Sequence, residues 1–236
     1  GGYAEEVVVP AGLVLPIPDG LTYVEAASIP EVYATAYLNL YMEADLSIGE
    51  KVLLHAGASG VGTAAIQLLK YSKNPSFVTV GNADKLRRCR DLGADSGFIR
   101  HDGSFLNAVS EWSGKSGVDV ILDPVGANYF SDNISCLGID GRLVLIGLLG
   151  GQSAELNMGF LMMKRISVIG STLRARALPL KANIMDRLKE DVWPRFESKE
   201  ILPVIEEVFP IEDAEKAHSM IAGNETFGKV VLEIFR

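Results

Sequence analysis

Short apolar runs alternate with amphipathic segments from residue 51 onward, and this alternation is the dominant pattern of the chain. Near-continuous apolar runs are typical of strands buried on both faces, whereas apolar positions three or four residues apart indicate helices. The pattern predicts an α/β fold of the Rossmann type, in which helices cover both faces of a doubly wound, parallel, six-stranded sheet. The predicted strands are 51–55, 77–80, 97–100, 118–122, 143–148 and 166–172, and the helices between them are 63–71, 84–92, 105–112, 128–137 and 158–163.

The residues before this alternation follow a different pattern. Residues 4–15 are predicted to form one or two short strands that end at Pro16 and Pro18, because proline breaks sheet pairing. A helix with proline in its first turn is then predicted over residues 30–46.

The tail after residue 176 also departs from the alternation. We do not expect it to form another β–α unit. Its predicted elements are helices at 179–196 and 211–221, separated by the apolar residues 201–204, and a final strand at 229–234.

Composition narrows the class of protein. A hydrophobic fraction of 48% is typical of a soluble globular protein, and a formal net charge of -8 argues against a nucleic-acid partner. Cys89 and Cys136, the two cysteines of the sequence, are too few for a disulfide framework, so we expect both in the core and a reducing compartment. No apolar run reaches the ~18 residues of a membrane span, and no secretory signal is visible. These features predict a cytoplasmic protein that does not associate with membranes.

Residues 55–62, HAGASGVG, predict a phosphate-binding turn between the first strand and its helix. Such a turn directs backbone N–H groups at a pyrophosphate, and the helix dipole adds to the attraction. The usual glycine fingerprint is broken at Ser59, but the turn follows a buried strand and opens an alanine-rich helix, which supports dinucleotide binding. Thr63 can offer a hydroxyl to a phosphate.

The end of the second strand favours NADPH over NADH. NAD-specific sites place an acid there to bind the ribose 2′-hydroxyl, whereas residues 79–82 of this chain, TVGN, contain none. Lys85 and Arg100 can supply positive charge to a 2′-phosphate. We expect Arg87 and Arg88 to lie on a solvated helix face instead.

Several motifs, in the same order along the whole chain, resemble the quinone oxidoreductase branch of the medium-chain dehydrogenase/reductases, which includes zeta-crystallin and the stress-induced NADPH:quinone reductases. These motifs lie at residues 26–36, 55–68, 123–126, 147–151, 173–176 and 228–232. The resemblance implies transfer of reducing equivalents from NADPH to a quinone or a conjugated carbonyl, without zinc. It also implies a homodimer formed through the sixth strand, which would otherwise be an exposed edge.

The resemblance also implies which residues meet the cofactor. Thr35 and Asn128 would lie near the nicotinamide or its ribose, and Asn224 would close the pocket from the tail. Arg100 departs from the tyrosine common at its position. The full set is Thr35, Ser59, Gly60, Val61, Gly62, Thr63, Gly81, Lys85, Arg100, Asn128, Gly147, Leu148, Leu149, Gly150, Ser171, Thr172, Leu173, Arg174 and Asn224. No catalytic side chain is predicted, since the cofactor carries the difficult chemistry.

The resemblance further implies three segments. Residues 1–30 would be the remnant of an N-terminal GroES-like catalytic domain, 31–175 the NADP-binding domain, and 176–236 a segment returning to the catalytic domain. Much of the quinone pocket would lie in the part of that domain not present, so we expect cofactor binding even where turnover is lost.

The three histidines of the sequence, at positions 55, 101 and 218, make no metal-ligand spacing. Glu31 falls near a zinc-ligand position of alcohol dehydrogenases, yet we expect no metal. His55 is expected to be a packed, hydrogen-bonded residue rather than a base. Two other functions stay open: an NADPH-dependent alkenal or enoyl reductase, and a non-catalytic NADPH-binding sensor or structural protein.

Overall fold

Strands and helices alternate through most of the chain in this computed structural model, which describes residues 2–234. The strands are β1 Val52–Leu54, β2 Ser76–Val80, β3 Ser96–Ile99, β4 Val118–Asp123, β5 Leu137–Leu145, β6 Ser167–Gly170, β7 Ile205–Pro210 and β8 Lys229–Glu233. The α-helices are α1 Tyr23–Ala27, α2 Pro30–Tyr37, α3 Gly60–Ser72, α4 Ala83–Leu92, α5 Leu106–Trp112, α6 Ala127–Cys136, α7 Met158–Lys164, α8 Leu178–Glu197 and α9 Ala214–Ala222.

Strands β1 to β6 form one parallel sheet in the order β3-β2-β1-β4-β5-β6, which confirms the predicted doubly wound fold. Alternate side chains of the central strands enter two separate cores, because successive residues of a strand point to opposite faces. On one face Val52 and Leu54 pack with α2, α3 and α8. On the other face Leu53 and Phe77 pack with α5 and α6. Buried Cys89 and Cys136 lie in these two cores, as predicted.

The prediction of strands at residues 4–15 is wrong. This segment contains only a 3-10 turn at Ala11–Leu13, and Val7, Val8 and Val9 are exposed. An apolar run forms a strand only where a neighbouring strand completes its hydrogen bonds, and the described residues offer this segment none. The Nε1 of Trp193 instead donates to the carbonyl of Pro16 at 2.8 Å, which fixes the end of the segment to α8.

Two predicted elements have different bounds. The predicted helix over 30–46 is α-helical only to Tyr37, and continues as a π-helix over Leu38–Glu43. Strand β5 begins at Leu137, six residues before the predicted start of the fifth strand at 143. Two glycines, Asp140 and Arg142 within 138–142 concealed its first half, where Asp140 adopts a φ of 62°.

The tail contains a β–α–β unit, contrary to the prediction. Strands β7 and β8 pair in parallel, and α9 connects them. Strand β7 was missed because Glu206 and Glu207 interrupt its apolar pattern. The unit is docked on the first β–α turn, since Gly228 N–H donates to the carbonyl of Ala58 at 2.9 Å. The division of the chain at residues 30 and 175 stays a prediction.

Candidate functional site

A cleft of about 620 Å³ opens at the carboxyl ends of β1, β2 and β4. The strand order reverses between β1 and β4, and open α/β sheets bind ligands at such a switch point. The tail forms the opposite wall. Residues that line the cleft include Glu31, Ser59, Gly60, Val61, Thr79, Gly81, Asn82, Lys85, Arg100, His101, Val125, Tyr129, Asn224, Gly228 and Lys229.

The turn between β1 and α3 keeps the geometry of a phosphate site despite Ser59. The Ser59 hydroxyl caps α3 by accepting the N–H of Gly62 at 3.1 Å. A Cβ at Gly62 would lie 2.5 Å from the carbonyl oxygens of Ala56 and Gly57, so only glycine lets the helix start this close to the turn. Serine in place of the middle glycine therefore stabilises the helix end while leaving the turn compact.

Backbone N–H groups at the start of α3 are open to a ligand. The amides of Gly60 and Val61 have no hydrogen-bond partner within residues 2–234, and both residues line the cleft. A dinucleotide pyrophosphate fits such a helix N-terminus. Thr63 lies behind this surface, because its hydroxyl donates to the carbonyl of Gly60 at 3.0 Å and only 2% of the residue is exposed. Its predicted contact with phosphate would require this hydrogen bond to break.

The other end of the cleft lies at the end of β2. Asn82 caps α4 by accepting the N–H of Lys85 at 2.9 Å, and among residues 2–234 no carboxylate lines the cleft at this end. The Lys85 ammonium donates to the carbonyl of Asn224 at 2.6 Å, which brings two predicted cofactor residues together. Burial, followed by the charge of Arg100, lowers the pKa of Lys85. This cluster of cations suits a ribose 2′-phosphate.

The two arginines predicted to face solvent differ. Arg87 is solvent-exposed and pairs with Asp84 and Asp91 on its own helix, as predicted. The prediction for Arg88 is wrong. Its guanidinium pairs with Glu206 of β7 at 2.7 Å and lies over the ring of Phe227 at 4.2 Å. Arg88 therefore holds the tail against α4.

Residues predicted to meet the nicotinamide lie outside the cleft lining. Asn128 contacts the loop after β5, where a Cβ at Gly150 would lie 3.0 Å from its Nδ2. That loop is fixed by the amide of Gly150, which donates to the carbonyl of Val125 at 2.7 Å. The remaining residues of this group also fall outside the lining: Thr35, Gly147, Leu148, Leu149, Ser171, Thr172, Leu173 and Arg174. Their contacts with cofactor stay predictions.

A buried chain of hydrogen bonds runs beneath the cleft from β2 to the loop after β4. His55 Nε2 contacts Asn133 Oδ1 at 2.7 Å, and His55 Nδ1 contacts the hydroxyl of Thr79 at 2.9 Å. Asn133 Nδ2 donates to Asp123 Oδ2 at 2.9 Å, and Asp123 also accepts the amide of Val125 at 2.6 Å. His55 is thus a packed, hydrogen-bonded residue, as predicted.

Opposite pKa shifts follow from burial of this chain. Burial lowers the pKa of His55 to about 4, although the bond to Asn133 opposes the shift. His55 is therefore neutral at pH 7. Because the Asn133 amide nitrogen donates to Asp123, Asn133 Oδ1 must accept a hydrogen from His55, which places the His55 proton on Nε2. Burial raises the pKa of Asp123 to about 6 against the hydrogen bonds it accepts, so this carboxylate is ionised at pH 7.

Sequence reasoning missed several cleft residues. His101 follows the predicted Arg100 and contacts its Nε at 3.3 Å. Lys229 belongs to the 228–232 motif, and its positive charge within that motif was the available signal. Glu31 belongs to the 26–36 motif, but it was considered only as a metal ligand. Tyr129 carried no such signal, because the fold alone brings it to this edge. Among residues 2–234, no group of three or more His, Cys, Asp or Glu side chains is arranged to hold a metal.

The fold and cleft define a dinucleotide-binding domain of the dehydrogenase type. The model of the zinc-binding dehydrogenase family matches residues 60–189. The chain belongs to this family, within the medium-chain dehydrogenase/reductase superfamily, which confirms the predicted membership.

Two kinds of similar protein differ greatly in length. The chain is 32% identical to the highly reducing polyketide synthase cm3B of Cordyceps militaris over 92% of its own length and 9% of that protein. It is 29% identical to human quinone oxidoreductase over 98% of its length and 69% of that protein. The chain thus spans about a tenth of the polyketide synthases it matches.

Solved structures give the same family. A structure described as an NAD-dependent alcohol dehydrogenase superposes with a TM-score of 0.88 at 32% identity, covering 100% of this chain and 66% of that one. A mycobacterial protein complexed with NADPH superposes with a TM-score of 0.84 at 27% identity, covering 95% and 70%. The family therefore includes at least one protein whose structure was solved with NADPH.

Proposed function

We propose that this protein transfers reducing equivalents from NADPH to quinones or related conjugated carbonyl compounds. The observation that carries the proposal is the pairing of two features in one cleft. Open amides of Gly60 and Val61 suit a pyrophosphate, and Lys85 and Arg100 suit a 2′-phosphate. The likeness to human quinone oxidoreductase supports the choice of substrate class.

Within the described part of the chain, the β2 end of the cleft has no carboxylate, which supports NADPH over NADH. The nearest acid along the chain, Asp84, is paired with Arg87 at 2.7 Å and does not line the cleft. Charge-assisted hydrogen bonds from Lys85 and Arg100 to a phosphate are stronger than those to a neutral hydroxyl. We therefore expect the 2′-phosphate to raise affinity.

In this proposal, the residues of the chain bind the cofactor and orient it towards the acceptor. When bound, NADPH supplies the reducing equivalents, and quinones and conjugated carbonyls are already electrophilic acceptors. The turn at Ser59–Val61 would hold the pyrophosphate, and the buried chain ending at Asp123 holds the loop that carries Val125 into the cleft. Such positioning accounts for a reductase without an acid–base pair.

An enoyl or alkenal reductase is the second candidate. Its support is the match to several polyketide synthases and to a structure described as an enoyl reductase. Both activities would use the same cofactor cleft, so the acceptor distinguishes them. A non-catalytic NADPH-binding protein would bind the cofactor and turn over neither acceptor.

Oxidation of NADPH by the protein, followed with 1,2-naphthoquinone and with an enal as acceptors, separates these functions. The proposal predicts faster turnover with the quinone. Faster turnover with the enal would favour the second candidate. In the full-length protein, which would carry the complete acceptor pocket, tight NADPH binding without turnover of either acceptor would contradict both. Lys85→Met is the control, because it should raise the KM for NADPH while leaving acceptor preference unchanged.

We also propose a homodimer formed through β6. This strand ends the sheet and leaves one row of backbone groups unpaired, a typical pairing surface. Beside it, α7 exposes Met158, Met162 and Met163, each by 75% or more. Sedimentation should show a dimer that Val168→Lys converts to a monomer, and a monomeric parent protein would contradict the proposal.

The cellular compartment proposed for this activity is the cytoplasm. Cys89 and Cys136 are both unpaired and buried, as expected under reducing conditions. Across residues 2–234, no helix is long and apolar enough to cross a membrane.

A further inference from the structure

An ion pair joins the segment after β6 to the helical segment that precedes the sheet. The Nη2 of Arg176 lies 2.8 Å from Glu43 Oε1, and both side chains are partly buried, with exposed fractions of 23% and 24%. Glu43 is the last residue of the π-helix Leu38–Glu43. Helices of this type are rare and often occur at functional sites. Two elements that are remote in sequence are therefore fixed to each other at this point.

The same guanidinium also holds the 171–174 loop, which follows β6. The Nε of Arg176 donates to the carbonyl of Thr172 at 3.1 Å, and its Nη2 donates to the hydroxyl of Ser171 at 3.3 Å. The amide of Arg176 donates to the carbonyl of Leu173 at 3.2 Å, which closes a turn. The N–H groups of a guanidinium have a fixed planar geometry, so one arginine can bind this loop and a carboxylate together. Arg176 thus sets how the loop sits against the π-helix.

The 171–174 loop lies at the carboxyl end of β6, and the cofactor cleft opens at the same edge of the parallel sheet. In the proposed function, Lys85 and Arg100 bind the 2′-phosphate at the end of β2, and the start of α3 after β1 binds the pyrophosphate. A dinucleotide bound in this way runs from β2 towards β1. Its nicotinamide half would then continue over β4, β5 and β6, which follow in that order. The loop would border the nicotinamide end of the cofactor.

We propose that Arg176, held by Glu43, is a positioning residue that fixes the 171–174 loop for contact with the nicotinamide half of the dinucleotide. Arg176 acts through the loop and does not touch the cofactor. The inference rests on the proposed function of the cleft. Loss of the ion pair frees the loop, which must then be ordered again each time the nicotinamide binds, and this ordering opposes binding. The adenosine half, bound at the end of β2, is not affected.

Titrations of the protein with NADPH and with 2′-phospho-ADP-ribose, which is NADPH without its nicotinamide ring, test this division. Arg176→Met keeps a long unbranched stem but removes the guanidinium. It should weaken NADPH by about fivefold or more, as expected for lost hydrogen bonds to a charged group, and leave 2′-phospho-ADP-ribose unchanged. Arg165→Met is the matched control, because Arg165 pairs with Asp140 before the amino end of β6 and both side chains are exposed. It should change neither affinity.

A second variant, Glu43→Gln, tests the ion pair without altering the loop itself. It should also weaken NADPH alone, and the double variant should lose no more affinity than Arg176→Met, because two residues that act through one contact are not additive. Unchanged NADPH affinity in Arg176→Met would overturn the inference alone. An equal loss of both ligands would do the same, because it would indicate a general structural role. A parent protein that binds neither ligand would overturn the proposed function as well.

Discussion

His55 Nε2 donates a hydrogen bond to Asn133 Oδ1 over 2.7 Å, and this contact joins the end of β1 to α6. Neither residue is more than 3% exposed. Asn133 continues the chain of hydrogen bonds in the same direction, because its amide nitrogen donates to Asp123. These hydrogen bonds all run in one direction and connect the end of β1, α6 and the end of β4 beneath the cleft. The hydrogen bonds of all three side chains are complete only when His55 is neutral and Asp123 is ionised.

Replacement of His55 should have a pH-dependent cost. The pKa of His55 is lowered to about 4 from an ordinary value of 6.5, so the unfolded chain binds a proton more readily. The His55 contribution to the free energy of unfolding is thus present above pH 6.5 and is lost as pH falls towards 4. At pH 4.5 the loss is about 2–3 kcal/mol, from about 1.4 kcal/mol per pKa unit.

Urea unfolding of His55→Gln measures this cost. The variant lacks the proton linkage, so its stability deficit relative to the parent protein at pH 7.5 should shrink by about 2–3 kcal/mol at pH 4.5. A deficit that is the same at both pH values would mean that the pKa of His55 is not shifted.

Replacement of Asp123 by asparagine should reverse the donor–acceptor direction of the buried hydrogen bonds between residues 55, 133 and 123. An amide at position 123 can accept the Val125 N–H only by turning its own donor towards Asn133. Asn133 must then flip, and His55 must carry its proton on Nδ1 and donate to Thr79. Imidazole ¹⁵N shifts report the tautomer directly. Asp123→Asn should show Nδ1–H where the parent protein shows Nε2–H. The same tautomer in both proteins would contradict the coupling of the His55 tautomer to Asp123 through Asn133.

The sheet was predictable from the sequence because its strands are buried on both faces. Residues such as Val52, Leu53 and Leu54 are apolar without interruption, and this signal does not depend on any partner. Strand β7 was not predictable in the same way. Its Glu206 faces Arg88 across an ion pair, so a charged residue belongs there for a tertiary reason that no local pattern reveals.

Gly62→Ala should disrupt the start of α3. The added Cβ would lie 2.5 Å from the carbonyl oxygens of Ala56 and Gly57, and neither backbone can retreat easily. Overpacking of this kind costs about 1–3 kcal/mol of folding free energy. Gly170→Ala is the matched control, because a Cβ there meets nothing within 4 Å. Equal melting temperatures for the two variants would contradict the close approach of α3 to the turn.

Arg88 and Arg87 offer a matched pair on one helix. Arg88→Met removes a partly buried ion pair with Glu206 and the contact with Phe227, and should destabilise docking of the tail by about 1–2 kcal/mol. Arg87→Met removes only exposed pairs and should change stability by less than about 0.5 kcal/mol. Hydrogen exchange in β7 and β8 should accelerate in the Arg88 variant alone. Equal exchange in both variants would show that Arg88 does not hold the tail.

The parts of the candidate site that are formed by residues close together in sequence were predictable. The turn at Ser59–Gly62 and the acid-free end of β2 can both be recognised without the fold. Lys229 and Tyr129 could not be placed in the same way, because a β–α–β unit at the end of the chain and a helix after β4 bring them to the cleft from distant positions. Long-range docking is set by many weak contacts, which a local motif does not encode.

The most direct test of the cofactor cleft is calorimetric titration of the 236-residue chain with NADPH and with NADH at the same ionic strength. We expect NADPH to bind at one site per chain, at least tenfold more tightly than NADH, as expected for an additional charge-assisted contact. Lys85→Met should reduce this difference without affecting NADH. Equal affinities in the parent protein, or tighter binding of NADH, would contradict the assignment of the β2 end of the cleft to a 2′-phosphate.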